Sequence, residues 1–201
     1  MTKEPQQQQE VPYPLAFKGE LDEPLSQLLW SVKVFLLVPH FVVLLFLFLG
    51  FALAWAISLF AILFTGRYPR RLFDFNLGVL RWTWRVWFYG LGAGATDRYP
   101  PFTLKAVDYP ADLGMPYPEK LSRGLVLIKW WLLALPQYMV VCILGFMIFM
   151  ITGTIQLVVF LTERYPGDVF DFILDMNRWV YRVAVYAALM TDRYPPFRPG
   201  E

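Results

Sequence analysis

Residues 65–95 read TGRYPRRLFDFNLGVLRWTWRVWFYGLGAGA, and residues 162–189 read TERYPGDVFDFILDMNRWVYRVAVYAAL. The second is a diverged copy of the first. Each follows a long apolar run and leads into an identical TDRYPPF. The chain is therefore a tandem duplication, and the fold question becomes how one unit is built and how it meets its copy. Within each stretch the polar groups keep to one helical face. Asp74, Gly78, Arg81 and Arg85 stand at i, i+4, i+7 and i+11, and so do Asp171, Asp175, Arg178 and Arg182.

Composition sets the class. Of 201 residues, 57% are hydrophobic and only 17% charged, against about 25% charged in a soluble domain. That is too little charge to cover a water-facing surface, so a membrane protein with lipids as partners is expected. A net charge of +2 with scattered cations does not suggest a nucleic-acid partner. Cys142 is the single cysteine and His40 the single histidine. No disulfide framework, metal cluster or cofactor site follows from them. No nucleophile–base pair or phosphate-cradling loop stands out, so the expectation is a non-enzyme. The N-terminus lacks the basic-then-apolar pattern of a signal peptide.

Outward from the duplicated stretch, residues 1–12 are polar, glutamine-rich and expected to be disordered. In 13–24, Leu15, Phe17 and Lys18 mark a short strand. Residues 25–38 predict a helix of about 21 Å, too short to cross a hydrocarbon core of about 30 Å, which fits a place in the interface. Pro39 breaks its direction, and 40–64 then run without a formal charge for about 37 Å, enough for one span. A second helix, rich in tryptophan and arginine, is predicted over 72–95, and 103–120 form a Pro/Gly-rich linker. The copy repeats the order, with an interfacial helix at 121–135, a span at 138–161 and a second helix at 169–189. Pro39 answers to Pro136 after one inserted residue. The expected fold is an all-α integral membrane protein of two tandem repeats, 13–102 and 121–198. The second helix of each is either transmembrane or interfacial.

Likeness of the boundary residues argues that both repeats keep one orientation, hence an even number of crossings each. The economical solution has four spans, parallel repeats and both termini on one side. Gly66 and the linker at Gly114 then face opposite sides. The competing solution lays the Trp-rich helices flat in the interface, where indoles and arginines both favour the depth.

The two polar stripes, Asp74, Arg81, Arg85, Asp171, Asp175, Arg178 and Arg182, have two readings. They form a polar seam between repeats that serves an ion or a lipid headgroup, or they are Asp–Arg pairs that lock the fold. Thr-x-Arg-Tyr-Pro occurs four times, at each segment boundary. Its Arg67, Tyr68, Arg98, Tyr99, Arg164, Tyr165, Arg193 and Tyr194 are read as depth anchors, since arginine reaches water and tyrosine suits the boundary. His40, answered by Gln137, reads as an interfacial hydrogen-bonder. Gly90, Gly92 and Gly94 read as helix-packing positions.

Pro39-His40 before a long span, then TGRYPR, LFDF and TDRYPPF in that order, resemble the bacterial membrane family catalogued as domain of unknown function 4389. The resemblance covers about 13–104 and, more loosely, 106–198. It implies a multi-pass protein of the bacterial inner membrane and no known activity; the spread of lysine and arginine favours cytoplasmic termini. The expected role is a structural or accessory subunit of a membrane assembly, with other membrane-protein subunits as partners. The alternatives are a small transporter or lipid-binding protein using the seam, and a membrane-shaping hairpin protein.

Overall fold

The computed structural model of the protein describes residues 13–162 and 164–198; the polar segment 1–12 expected to be disordered lies outside the described residues. The first repeat runs β1 (Ala16–Gly19), α1 (Gln27–Leu36), α2 (Val38–Thr65) and α3 (Arg70–Tyr89). The second runs β2 (Ala111–Gly114), α4 (Leu125–Ile128), a π turn (Lys129–Leu133), α5 (Leu135–Thr162) and α6 (Gly167–Ala187). The chain is mostly helical, but not all-α. The strand expected near Phe17 pairs with one inside the linker, where none was expected.

The Thr-x-Arg-Tyr-Pro stops work by local chemistry. At the end of α2 the Thr65 hydroxyl donates to the Ala61 carbonyl at 2.7 Å and accepts from Arg67 N at 3.2 Å. Gly66 turns the chain at φ 70°, a conformation that favours glycine. Pro69 then caps α3 from an extended conformation. Thr162 and Pro166 repeat the hydroxyl bond and the extended cap between α5 and α6.

Two offsets between the repeats have structural causes. Lys129 answers Lys33 at an offset of 96, but Pro136 answers Pro39 at 97. The extra residue is absorbed where the Ala134 amide reaches back five residues to the Lys129 carbonyl at 2.9 Å. At the other end, α3 stops at Tyr89 rather than continuing to 95. Gly90, Gly92 and Gly94 lie beyond that helix, so they are loop residues, although Gly90 and Gly94 still let Leu37 and Gln156 approach closely. Gly94 has φ 66°, and its counterpart Leu189 holds φ 65°, an αL conformation costing a non-glycine residue about 1–2 kcal/mol.

Helices α2 and α3 form an antiparallel hairpin. A Cβ on Gly90 would strike Leu37, and one on Gly50 would lie 3.1 Å from Phe75. Helices α3 and α6 also run antiparallel. Tyr68, just before α3, donates to the carbonyl of Ala188 past the end of α6 at 3.4 Å. Tyr165, just before α6, donates to that of Ala93 past the end of α3 at 2.9 Å. Four spans with parallel repeats would make these two helices parallel, so that arrangement does not hold. Nor are Gly66 and the linker apart: the Leu121 amide donates to the Gly66 carbonyl at 2.9 Å, and the Tyr117 hydroxyl donates to that of Tyr68.

The strands pair antiparallel with Phe17 opposite Leu113 and Lys18 opposite Asp112. Phe17 and Leu113 are themselves counterparts, so a pseudo-twofold axis passes between them. Phe17 packs on Trp84 at 4.4 Å and on Tyr181 at 5.4 Å, a second pair of counterparts, and Trp84 Nε1 donates to the Lys18 carbonyl at 2.8 Å. The sheet therefore sits over the middle of the α3–α6 pair. Helix α3 turns Trp84 and Phe88 to the sheet, and Trp82, Val86 and Tyr89 to α2.

Helices α2 and α5 bury only a narrow stripe, such as Leu44, Ala54 and Ile62 on α2. The rest is bare hydrocarbon: Leu53 is 68% exposed, Phe64 72% and Met139 67%. Among the described residues these two helices are long and apolar enough to cross a membrane.

Candidate functional site

The TDRYPPF segments are clasps. Asp97 accepts from the Ser26 amide at 2.5 Å and forms an ion pair with Lys33 Nζ at 2.9 Å, and Lys33 also donates to the Thr96 carbonyl at 2.7 Å. In the copy, Asp192 accepts from the Ser122 amide at 2.6 Å and from Lys129 Nζ at 2.7 Å. Both lysines are buried, and burial holds their pKa below the usual lysine value against the pull of the aspartates. One carboxylate thus caps the first turn of the short helix and neutralises the cation within it. Tyr99 adds a hydrogen bond to the Leu36 carbonyl at 2.9 Å.

His40 and Gln137 serve the same joint. His40 Nδ1 accepts from Trp82 Nε1 at 3.0 Å, and Gln137 Oε1 accepts from Trp179 Nε1 at 2.9 Å. Gln137 Nε2 donates to the Pro195 carbonyl at 2.8 Å, and the counterpart Pro100 backbone bears on the imidazole. An amide and a neutral imidazole each offer one acceptor and one donor, which is why the duplicate tolerates the exchange.

The polar stripes do not face each other between the repeats. Asp74 is exposed and pairs with Arg70 at 3.2 Å, and Asp171 is exposed. Arg81 and Arg85 turn instead to the linker and β2. Arg81 donates to the carbonyls of Leu104 at 3.0 Å and Leu113 at 2.8 Å. Arg85, fully buried, donates to the Lys105 carbonyl at 3.0 Å, and both guanidiniums meet Asp112 Oδ1, at 3.1 and 3.0 Å. In the copy, Arg178 pairs with Asp175 on its own helix. Arg182 is only 4% exposed, beneath the ring of Tyr13 at 5.7 Å; its Nε and Nη1 have no hydrogen-bond partner among the described residues. A pocket of about 550 Å³ opens here, lined by Arg178, Arg182, Lys18 and the edge of the sheet.

The expected anchors divide. Arg67, Arg98, Tyr99, Arg164, Arg193 and Tyr194 are exposed. Tyr68 and Tyr165 are buried, because they tie the start of each Trp-rich helix to the other repeat, and so do not face a boundary. Around the end of α2, Arg67, Lys120 and Arg123 gather at one cleft. Lys33, Lys129, Asp97, Asp192 and Asp112 were not among the sequence candidates. The first four were legible as matched positions of the repeat; Asp112 was not, since the copy alignment sets it against Ala16.

An apolar groove runs between α2 and α5, floored by α3 and α6. Its two parts, of about 340 and 410 Å³, share Phe48, Leu80 and Ala184. It lies away from the sheet. Among the described residues no three His, Cys, Asp or Glu side chains gather as a metal site.

No curated protein and no solved structure matches the chain. The family described as domain of unknown function (DUF4389) matches it twice, over residues 27–103 and 126–198. The TDRYPPF segments, the paired helices α3 and α6 and the bare apolar helices lie within those two matches, and the chain belongs to that family as a tandem repeat.

Proposed function

We propose that this is a non-enzymatic membrane protein that lies in one leaflet instead of crossing the bilayer. One observation carries the reading: a two-stranded sheet sits over the middle of the antiparallel α3–α6 pair. If these helices and the α2 and α5 helices packed along them crossed a bilayer, the sheet would lie at its midplane. Lys18 and Glu20, an exposed ion pair at 3.1 Å, would then face hydrocarbon, beside the outer edge of β1. A charged side chain at that depth costs at least about 2.5–3.5 kcal/mol, and lipid-exposed sheet edges do not occur. Laid flat, the same molecule has its sheet in water and the bare faces of α2 and α5 in acyl chains. Arg67, Arg70, Arg71, Lys120 and Arg123 meet anionic headgroups at one rim. The leaflet is the cytoplasmic one of a bacterial inner membrane. The role is structural: the wedge of apolar helices spreads one leaflet, and the sheet side is offered to a membrane assembly.

Single-cysteine variants at Glu20, Arg67, Lys105 and Thr162 on a Cys142→Ala background test the reading. All four react from the same side of sealed vesicles. Labelling of Arg67 and Lys105 positions from opposite sides would sink it. A second reading rests on the groove, whose lining is almost wholly apolar: it holds an acyl chain of the surrounding lipid.

A further inference from the structure

The pseudo-twofold axis allows each polar group to be compared with its counterpart, and one pair is unequal. In the first repeat Arg81 and Arg85 share the carboxylate of Asp112, reached across the sheet. The counterpart of Asp112 is Ala16, and Ala16 lines the pocket beside Arg178 and Arg182. A methyl group stands where the other half has its acid. The copy has a different acid, Asp175 in place of Gly78, but it bonds Arg178 on the same helix. The exchange also alters the space. Leu104 packs against Gly78 so closely that a Cβ there would lie 2.8 Å from its own, whereas Asp175 fills that position in the copy.

A buried guanidinium with two unbonded nitrogens, against one in Arg85, carries a large desolvation cost, and native proteins answer such groups with an acceptor. We propose that the pocket beside β1 binds an oxyanion, a carboxylate or phosphate group, bridging Arg178 and Arg182 as Asp112 bridges Arg81 and Arg85. The local charge suits it. Arg178 and Arg182 have one acid on their own helix, Asp175; the second acid at the pocket, Asp112, is held by Arg81 and Arg85, and Lys18 at the rim is paired with Glu20. Tyr13, Phe17 and Leu113 make the rest of the wall apolar, and about 550 Å³ admits an organic body behind the anion. The inference needs only the fold and holds whether or not the chain lies flat in a leaflet.

The test is thermal unfolding of the full chain in neutral detergent, at matched ionic strength, in chloride, inorganic phosphate or succinate. Phosphate or succinate raises Tm over chloride, by roughly 5 °C or more at a hundredfold excess over Kd. Nanodiscs of phosphatidylcholine with and without phosphatidylglycerol form the second arm. A rise seen only with phosphatidylglycerol identifies a lipid headgroup as the source, and a rise in lipid-free micelles identifies a soluble ligand. Ala16→Asp supplies the missing acid, so it raises Tm in chloride and abolishes the response to anions. Arg182→Gln abolishes the response as well, and Arg182→Lys, which keeps the charge, serves if the amide variant does not fold. Absence of any anion-dependent rise in the unaltered chain, or an undiminished rise in Ala16→Asp, overturns the proposal.

Discussion

His40 offers a quantitative test of the duplicated joint, because the protein already contains the control. His40→Leu strands the buried Trp82 indole N–H, costing about 1–3 kcal/mol. It also removes a ring stacked on Phe102 at 4.0 Å and 9°, worth about 0.5–1.5 kcal/mol. Together these give about 2–4 kcal/mol, which for a chain of this size lowers Tm by on the order of 10 °C. His40→Gln keeps an acceptor for the indole and loses only the stack, so it costs about 0.5–1.5 kcal/mol. The assay is denaturant unfolding in detergent followed by tryptophan fluorescence, with Gln137→His as the reciprocal exchange. If His40→Gln is as damaging as His40→Leu, the imidazole does something an amide cannot, and the equivalence of the two sites is wrong.

Three further outcomes follow from the packing and the buried charges. Gly78→Asp, the residue of the copy, pushes Leu104 off α3 and destabilises by about 1–3 kcal/mol, while Gly124→Ala, which meets nothing, changes little in the same unfolding assay. Asp112→Asn leaves Arg81 and Arg85 sharing a neutral amide; with the acid partly exposed the loss is about 2–3 kcal/mol, and Asp74→Asn, at an exposed pair, costs less than about 1 kcal/mol. Burial, with neighbouring acids and phenols, raises the Tyr89 and Tyr186 hydroxyls to about 12 from 10.0. The unfolded chain loses these protons first, so this stability is intact below pH 10 and is lost as pH rises to about 12. Tyrosinate absorbance beyond that of the exposed tyrosines therefore rises together with unfolding, and completion of the rise without unfolding would count against burial of these rings.

Much of this was legible in the sequence, for physical reasons. The repeat, the stops and the two long apolar helices are local chemistry, written in proline, threonine and uncharged runs. The four arginines of the polar stripes were also visible, because helical spacing exposes a face. The Asp175 partner of Arg178, three residues away on the same helix, was visible too; the partner of Arg81 and Arg85 was not. Asp112 lies in a linker whose composition reads as loop, and only strand pairing with residues nearly a hundred positions earlier brings it beneath Arg85. Tyr68 and Tyr165 were misread because a tyrosine beside arginine and proline suits a boundary equally well; the buried carbonyls they satisfy belong to the other repeat. The reading of four spans with parallel repeats failed at the same step, because those two hydrogen bonds set α3 and α6 antiparallel.

The β1–β2 pairing joins the leading strand of each unit across a twofold axis, and the helices beneath it do the same. One unit by itself has an unpaired strand and an uncovered Trp84 or Tyr181. A relative carrying a single copy is therefore expected to be stable only as a homodimer. Fusion into one chain fixes the partner and frees the halves to diverge, so that an acid kept on one side can be given up on the other.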